Sequence, residues 1–274
     1  MKLAYKVAIG LVAISCFVII FSVIQKPPLS EEQAFMMVFG NYDRTHKSAS
    51  WEHIPFPDKE ELSGHYWEEK KGIVRAIFFQ PYHENGMHKV VLLTKTIPSN
   101  IPFDCHACRP LIGAAIFVRK HAHWEIEAQN QFIMYDGEYG SLPVVKLIAI
   151  GKEKVGLSLE FEHIAETDRA LNIIVPYKNS IVNAHIEIIY YENFSGCEAS
   201  NAIECVAYVS NIAFDKSMPG AFYGLRVKKF GTVYNDKKGK SMPVDEEVTY
   251  RLLDGHYVQI AKKAISNMEW TDIH

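Results

Sequence analysis

Three kinds of feature are missing from the sequence, and each absence argues against a class of protein. None of the GxSxG, HExxH or EF-hand patterns occurs in the 274 residues, so the motif signatures of serine hydrolases, zinc proteases and calcium-binding helix pairs are absent. Only one apolar run approaches the width of a bilayer, which excludes a protein with several membrane spans. No repeat of fixed period occurs, which disfavours propellers and solenoids.

Outside the N-terminus, acidic residues outnumber basic ones. Residues 1–26 contain three of the 29 basic residues and no acidic residue, so the rest of the chain has 26 basic residues against 32 acidic ones. A domain with an acidic balance is a poor nucleic-acid binder, because phosphate contacts require a concentrated positive surface, and we expect no nucleic-acid partner. With 48% hydrophobic and 22% charged residues, the composition is that of a folded globular protein rather than a disordered one.

The apolar run at the N-terminus covers residues 7–24 without a charged side chain. Lys2 and Lys6 precede it, and Lys26 with two prolines follows it. About 20 apolar residues cross the hydrocarbon core of a bilayer, so this run is at the lower limit for a transmembrane helix. Lysines in front of the run favour a cytoplasmic N-terminus. The sequence therefore predicts a cytoplasmic tail over residues 1–6, a transmembrane signal-anchor over residues 7–24, and export of everything that follows.

Cleavage of this segment is the alternative. Ala13-Ile14-Ser15 stands before Cys16 and resembles a lipoprotein cleavage box, although Ala13 occupies a position where leucine is usual. The apolar run continues for eight residues after Cys16, which a lipoprotein linker would not do. We favour an uncleaved single-pass anchor in the bacterial inner membrane with the C-terminal domain in the periplasm, and we keep a lipoprotein or a secreted protein as alternatives.

A short helix is predicted after the anchor. Ser30, with Gln33 three residues later, forms a capping-box pattern, and the apolar residues that follow supply a face that can be buried. The pattern ends near Gly40-Asn41. Residues 25–71 are therefore interpreted as a linker and a short helix that packs on the domain that follows.

From residue 72 onward the sequence is a succession of short apolar runs separated by turn residues. Eleven such runs are predicted to be strands, and the last covers residues 244–253. The clearest turn between them is Asn85-Gly86, a dipeptide typical of two-residue hairpins. The segment 151–154 is a second predicted hairpin turn, and His121-Ala122 is a third. Connections this short exclude parallel crossovers, which need a dozen residues or more.

The predicted fold is therefore all-β. We expect mainly antiparallel sheets in a sandwich or open barrel-like arrangement, preceded by the N-terminal membrane helix and the short helix after it. Residues 72–274 are interpreted as one exported antiparallel β domain, because no linker-like segment divides them.

Four of the five cysteines lie in two close pairs, Cys105 with Cys108 and Cys197 with Cys205. An even number of cysteines in an exported domain predicts disulfides. Pairing within each close pair is the simplest of the three possible connectivities. The fifth cysteine, Cys16, lies in the predicted anchor.

The Cys105-His106-Ala107-Cys108 motif also allows other chemistry. A thioredoxin-like redox motif would require a βαβ setting, whereas a strand-like run follows this motif. A mixed sulfur and nitrogen metal site is the second alternative, with Cys105, His106 and Cys108 as ligands. The histidines that hairpins could bring near it are His83, His88, His121 and His123. We favour structural disulfides and expect no cofactor.

An aromatic and acidic loop after the fourth predicted strand is the predicted contact surface. Tyrosine pairs make rigid, adhesive surfaces, and Gly137 and Gly140 permit tight turns around them. A purely structural turn is the alternative. The residues assigned to the binding surface are Tyr135, Asp136, Glu138 and Tyr139.

These features together predict a binding protein of the bacterial envelope rather than an enzyme. Residues 7–24 would hold the chain to the membrane, and the exported β domain would bind a protein partner, as an assembly factor or an immunity-type inhibitor does. The alternative is an exported hydrolase, or a redox or metal enzyme, that uses the region from Cys105 to Cys108.

Overall fold

The computed structural model describes most of the chain after the predicted anchor, over residues 28–54, 71–99, 109–137, 140–163, 167–193, 206–235, 238 and 240–265. These residues contain one helix and thirteen strands, and every strand pairing is antiparallel. The expectation of a mainly antiparallel β fold is thereby confirmed. Within these ranges we find no helical segment with the length and hydropathy of a membrane span, and the predicted anchor over residues 7–24 lies outside them.

The predicted short helix is α1, Glu31–Phe39. The Ser30 hydroxyl accepts a hydrogen bond from the backbone N–H of Gln33, and the Gln33 side chain accepts one from the backbone N–H of Ser30. This reciprocal capping box satisfies two N–H groups that a helix start leaves without partners. Gly40 ends the helix in the left-handed conformation, at φ 74°. Phe35 is fully buried and anchors α1 on the sheet that follows.

The first sheet has five strands in the order in which they occur along the chain. Its members are β1 (Ala49–Trp51), β2 (Gly72–Glu84), β3 (Met87–Pro98), β4 (Leu111–Lys120) and β5 (His123–Tyr135). Asn85 and Gly86 connect β2 to β3 with φ values of 51° and 71°. Two consecutive positive φ values are what a type I′ hairpin turn requires, so the predicted hairpin is confirmed.

The second sheet has eight strands, again in sequence order. Its members are β6 (Val144–Gly151), β7 (Lys154–His163), β8 (Asp168–Tyr177), β9 (Ser180–Asn193), β10 (Val206–Asp215), β11 (Gly224–Asn235), β12 (Lys240–Leu253) and β13 (His256–Ala264). All eleven predicted strands are found, as β2 to β12, whereas β1 and β13 were not predicted.

The eight-stranded sheet folds back over itself between β9 and β10. These two strands pair only where residues 190–193 meet residues 206–209. Before and after this short ladder, β9 pairs with β8 alone and β10 with β11 alone. Beyond the ladder, residues of β11 and β13 pack in one apolar cluster with residues of β6, β8 and β9. The strands β10–β13 therefore lie over one face of β6–β9.

Three apolar clusters fill the spaces between these layers. The first lies between α1, β1 and one face of the five-stranded sheet. The second joins the other face of that sheet to β7, β8 and β9, and the third lies between β6–β9 and β10–β13. Along β8, Ile174 belongs to the second cluster while Ile173 and Val175 belong to the third. Because side chains alternate along a strand, β8 is buried on both faces and β6–β9 form the middle layer.

A buried ion pair fastens the two sheets together. Lys89 and Glu84, whose side chains are only 3% and 4% exposed, form a salt bridge beside the Asn85-Gly86 turn. The Lys89 ammonium also lies 2.6 Å from a Glu127 carboxylate oxygen. The second Glu84 oxygen accepts a hydrogen bond of 2.9 Å from the backbone N–H of Val155, on β7. Lys89 and Glu84 thus each have a second polar partner besides one another, and such partners offset the cost of burying a charge.

Candidate functional site: an open groove on the eight-stranded sheet

An open groove of about 310 Å³ lies on the face of β6–β9 that β10 only partly covers. Five consecutive strands, β6 to β10, contribute side chains to it. Its apolar lining residues are Val144, Ile148, Leu171, Ile173, Ile189, Ile212 and Phe214, and its polar lining residues are Lys146, Ser158, Glu160, Ser210 and Asn211. An apolar concavity with a few polar groups is the usual form of a ligand site.

The alternation of side chains along β6 builds one wall of the groove. Val144, Lys146 and Ile148 line the groove, whereas Val145 and Leu147 pack into the cluster between the two sheets. This is the period of two expected for a strand with different surroundings on its two faces. Val144 remains 57% exposed, so the strand keeps an apolar side chain in solvent at the groove mouth.

The separation of β9 from β10 opens the opposite wall. Ser210, Asn211 and Ile212 are successive residues of β10, yet all three line the groove. They lie just beyond the short ladder that ends at Val209, so β10 presents its edge here as well as one face. The groove therefore exists because the β9–β10 pairing stops early.

A buried carboxylate braces the strands at the point where they part. Glu187 of β9 accepts a hydrogen bond of 2.9 Å from the Ser210 hydroxyl and lies 3.1 Å from the Lys229 ammonium of β11. Its other oxygen lies 3.6 Å from Nε2 of His185. Burial alone would raise the pKa of Glu187, but His185, Lys229 and Ser210 together lower it below its ordinary value. The ionised carboxylate thus connects three strands and holds Ser210 in the groove wall.

The two charged residues that line the groove, Glu160 and Lys146, differ in their salt-bridge partners. The Glu160 carboxylate lies 3.4 Å from an Arg169 guanidinium nitrogen. Lys146 is exposed, and no carboxylate in the part of the chain that the structure describes forms a salt bridge with it. One wall of an otherwise apolar groove therefore offers a positive charge to whatever binds there.

The strand β6 stands at one end of the eight-stranded sheet. Within the described ranges its strand neighbour is β7, on one side. Only its end is held on the other side, where the Tyr223 N–H donates a hydrogen bond of 2.8 Å to the Ile150 carbonyl. Residues 144–149 thus present an edge whose outward N–H and C=O groups can pair with an added strand.

The predicted contact loop is only partly described. Tyr135 is 36% exposed at the end of β5, and Glu138 and Tyr139 lie outside the described residues. Asp136 is buried, and its carboxylate lies 2.8 Å from Nε2 of His163. Its side chain therefore faces the protein interior, and the proposed role of the loop as a contact surface stays a prediction.

His163 is a buried residue that the sequence did not single out. Its Nδ1 lies 2.5 Å from Asp168 and its Nε2 lies 2.8 Å from Asp136. Burial alone would lower the pKa of His163, but the hydrogen bonds and charges of the two aspartates raise it above its ordinary value. The arrangement ties the start of the 136–140 loop to β7 and β8. No local motif marks it, because Asp136 lies 27 positions before His163 in the chain, although Asp168 follows His163 by only five.

The predicted cysteine chemistry lies outside the described residues. Disulfides and the alternative metal site therefore stay predictions for Cys105, His106, Cys108, Cys197 and Cys205. Within the described ranges, no group of three or more His, Cys, Asp or Glu residues is arranged to hold a metal ion.

Comparisons with known proteins add no assignment to these observations. No family model matches the chain. No curated protein and no solved structure matches it either.

Proposed function

We propose that the chain is a non-enzymatic binding protein of the bacterial envelope, held in the inner membrane by residues 7–24 with its β domain in the periplasm. The uncharged segment and the lysines in front of it support this topology. The β domain takes an extended segment of a protein partner into the groove. The observation that carries the proposal is the groove itself, because the strand that forms one wall has a free edge among the described strands.

Binding occurs by addition of a strand to β6. In this mode the main-chain hydrogen bonds supply affinity, and alternate side chains of the added strand supply specificity. A strand beside residues 144–149 continues the sheet, and every second side chain of it faces the groove. The apolar lining favours apolar side chains at these positions.

Lys146 sets the charge of the partner. Lys146 lies between Val144 and Ile148 on the groove side of β6. In an added strand, one residue faces Lys146, and the residues two positions before and after it face Val144 and Ile148. Opposite charges in directly facing strand positions contribute roughly 0.2–1 kcal/mol. The partner segment is therefore apolar at alternate positions with an acidic residue that faces Lys146. Either an assembly factor or an immunity-type inhibitor requires this kind of recognition of a protein partner.

A charge-swap experiment tests the groove. The probe is the peptide Thr-Val-Thr-Glu-Thr-Val-Thr, and the control peptide has lysine in place of glutamate. Calorimetry with the full-length chain in detergent micelles should show a preference of about fivefold for the glutamate peptide, the equivalent of about 1 kcal/mol. Lys146→Glu should reverse the preference. Lys152→Glu is the matched control, because Lys152 is exposed in the turn after β6 and does not line the groove.

Two results would contradict strand addition at β6. One is equal affinity of both peptides for the wild-type chain and for Lys146→Glu. The other is binding of the glutamate peptide without any change in the amide resonances of residues 144–149. The first result would contradict the role of Lys146 in selecting the charge of the partner. The second would contradict the addition of a strand to β6.

Reporter fusions test the topology separately. Alkaline phosphatase is active only after export, so its fusion to the C-terminus should be active, and a cytoplasmic reporter at the same position should be inactive. The opposite pair of results would contradict the periplasmic location while leaving the groove experiment unaffected.

A further inference from the structure

The end of the β2–β3 hairpin brings two histidines together on its exposed face. His83 and His88 are directly opposite each other in the strand register, on either side of the Asn85-Gly86 turn. Their Nε2 atoms are 3.2 Å apart, and their ring centroids are 4.1 Å apart. Both side chains are exposed. The groove lies on the other sheet, so this pair is independent of the proposed function.

We propose that His83 and His88 form a two-histidine site for a divalent transition-metal ion such as Zn²⁺. Imidazole nitrogens bind Zn²⁺ at about 2.0–2.1 Å, and at a tetrahedral angle two such nitrogens are about 3.4 Å apart. The observed separation of 3.2 Å is close to this value. Imidazole is a ligand that suits zinc, copper and nickel, so the chemistry agrees with the geometry.

The surrounding structure holds the two rings in place before any ion arrives. The turn between the strands has the backbone conformation of a tight type I′ hairpin. The residue that follows each histidine in the chain, Glu84 after His83 and Lys89 after His88, is buried, and the two are paired with each other. Two ligands held in one geometry bind an ion more tightly than two independent ones, because the second contact needs no further search. The exposed position of the rings leaves the remaining coordination sites to water.

A plain hydrogen bond between the two Nε2 atoms is the alternative to a metal site, and zinc binding distinguishes the two arrangements. Zn²⁺ is titrated into the full-length chain and into His83→Asn and His88→Asn, with calorimetry as the measurement. Each substitution should lower the affinity of the site by roughly 100-fold, since either one destroys the chelate. His256→Asn is the matched control. His256 is exposed beside the β12–β13 turn but faces Leu253 rather than a second histidine, and its replacement should leave the affinity unchanged.

Cysteine-bound zinc would give a different pattern. Zinc held by the cysteine pairs would bind equally to the wild-type chain and to all three variants. That result overturns the proposal, as does an absence of zinc binding to the wild-type chain or retention of full affinity by either hairpin variant. Circular dichroism of each variant shows whether the sheet signal is retained, and Cu²⁺ supplies a second probe. Its paramagnetic resonance spectrum should change from two bound nitrogens to one in either hairpin variant.

Discussion

The two sheets differ in how completely their faces are covered. In the five-stranded sheet, β4 has eight consecutive buried residues, 111–118, because α1 packs on one face and the second sheet packs on the other. In the eight-stranded sheet, β6 has one face packed against the first sheet while the other opens into the groove. We call the five-stranded sheet the closed sheet and the eight-stranded sheet the open sheet. Apolar side chains on the closed sheet stabilise the fold, whereas those at the groove mouth of the open sheet remain in solvent and are available for binding.

The same contrast holds for two lysines. Lys89, on the closed sheet, is buried between two carboxylates. Lys146, on the open one, has no such neighbour among the residues described for this chain. A buried charge without a partner is strongly unfavourable, whereas water solvates an exposed one at little cost. The difference separates a lysine needed for folding from one that is available to a ligand.

The largest effect on stability is expected when the closed sheet loses its buried cation, Lys89. Lys89→Ala leaves Glu84 without its counter-charge in the interior, and the free energy of unfolding should fall by about 3–5 kcal/mol. Urea unfolding followed by fluorescence measures the change. Lys120→Ala, which removes an exposed salt bridge to Glu125, is the control and should leave stability almost unchanged. Equal losses of unfolding free energy in the two variants would show that the buried and the exposed lysine contribute equally to stability.

A smaller effect with a distinctive pH dependence is expected at His163. Because Asp136 and Asp168 raise the pKa of His163 above its unfolded value of about 6.5, its stabilising contribution is complete below that pH. It is lost as pH rises through the higher folded pKa. His163→Gln should lower the free energy of unfolding by roughly 2 kcal/mol near pH 6 and remove the alkaline decline.

Unfolding measured from pH 5.5 to pH 9 decides the His163 prediction. His46→Gln is the control, because His46 is exposed beside Asp43 and its loss should preserve the slope of the wild-type chain. If His163→Gln and the wild-type chain decline in parallel over this window, the buried aspartates do not act through His163.

The smallest effect on stability is expected in the groove. Val144→Thr should change the free energy of unfolding by less than about 0.5 kcal/mol, because Val144 is 57% exposed. The same substitution at Val91, which is 2% exposed, places a hydroxyl in the cluster between the sheets and should cost about 1–3 kcal/mol. Binding of the glutamate peptide should weaken in Val144→Thr. Comparable losses of stability in both variants would contradict the division into a closed and an open sheet.

The elements that the sequence predicted correctly have local causes. The Ser30 capping box and the Asn85-Gly86 turn depend on residues within a few positions of each other, so their patterns are readable without tertiary contacts. The last strand, β13, was missed because its side chains do not alternate between apolar and polar. It is held by pairing with β12, including a salt bridge of 3.0 Å from Lys263 to Glu247. The strand β1 has only three residues and is defined by its pairing with β2.

The charged side chains show where prediction from sequence stops. Glu125 and Glu127 are two positions apart on β5, yet only Glu125 pairs with an exposed lysine, Lys120. Glu127 instead contacts the buried Lys89, which lies 38 positions earlier in the chain. Asp136, placed by the sequence on a contact surface, faces His163 at a separation of 27 positions. Nothing near either residue in the sequence indicates such a partner.

The antiparallel strands, their short turns and the cap of α1 follow from local sequence, because backbone conformation at turns and alternation along strands are set by neighbouring residues. The pairing of β9 with β10 over four residues, and their separation beyond it, is instead set by tertiary contacts. That separation turns β10–β13 over the middle layer and opens the groove between β6 and β10. It depends on packing among residues far apart in the chain, where many partners compete and burial in three dimensions selects one arrangement.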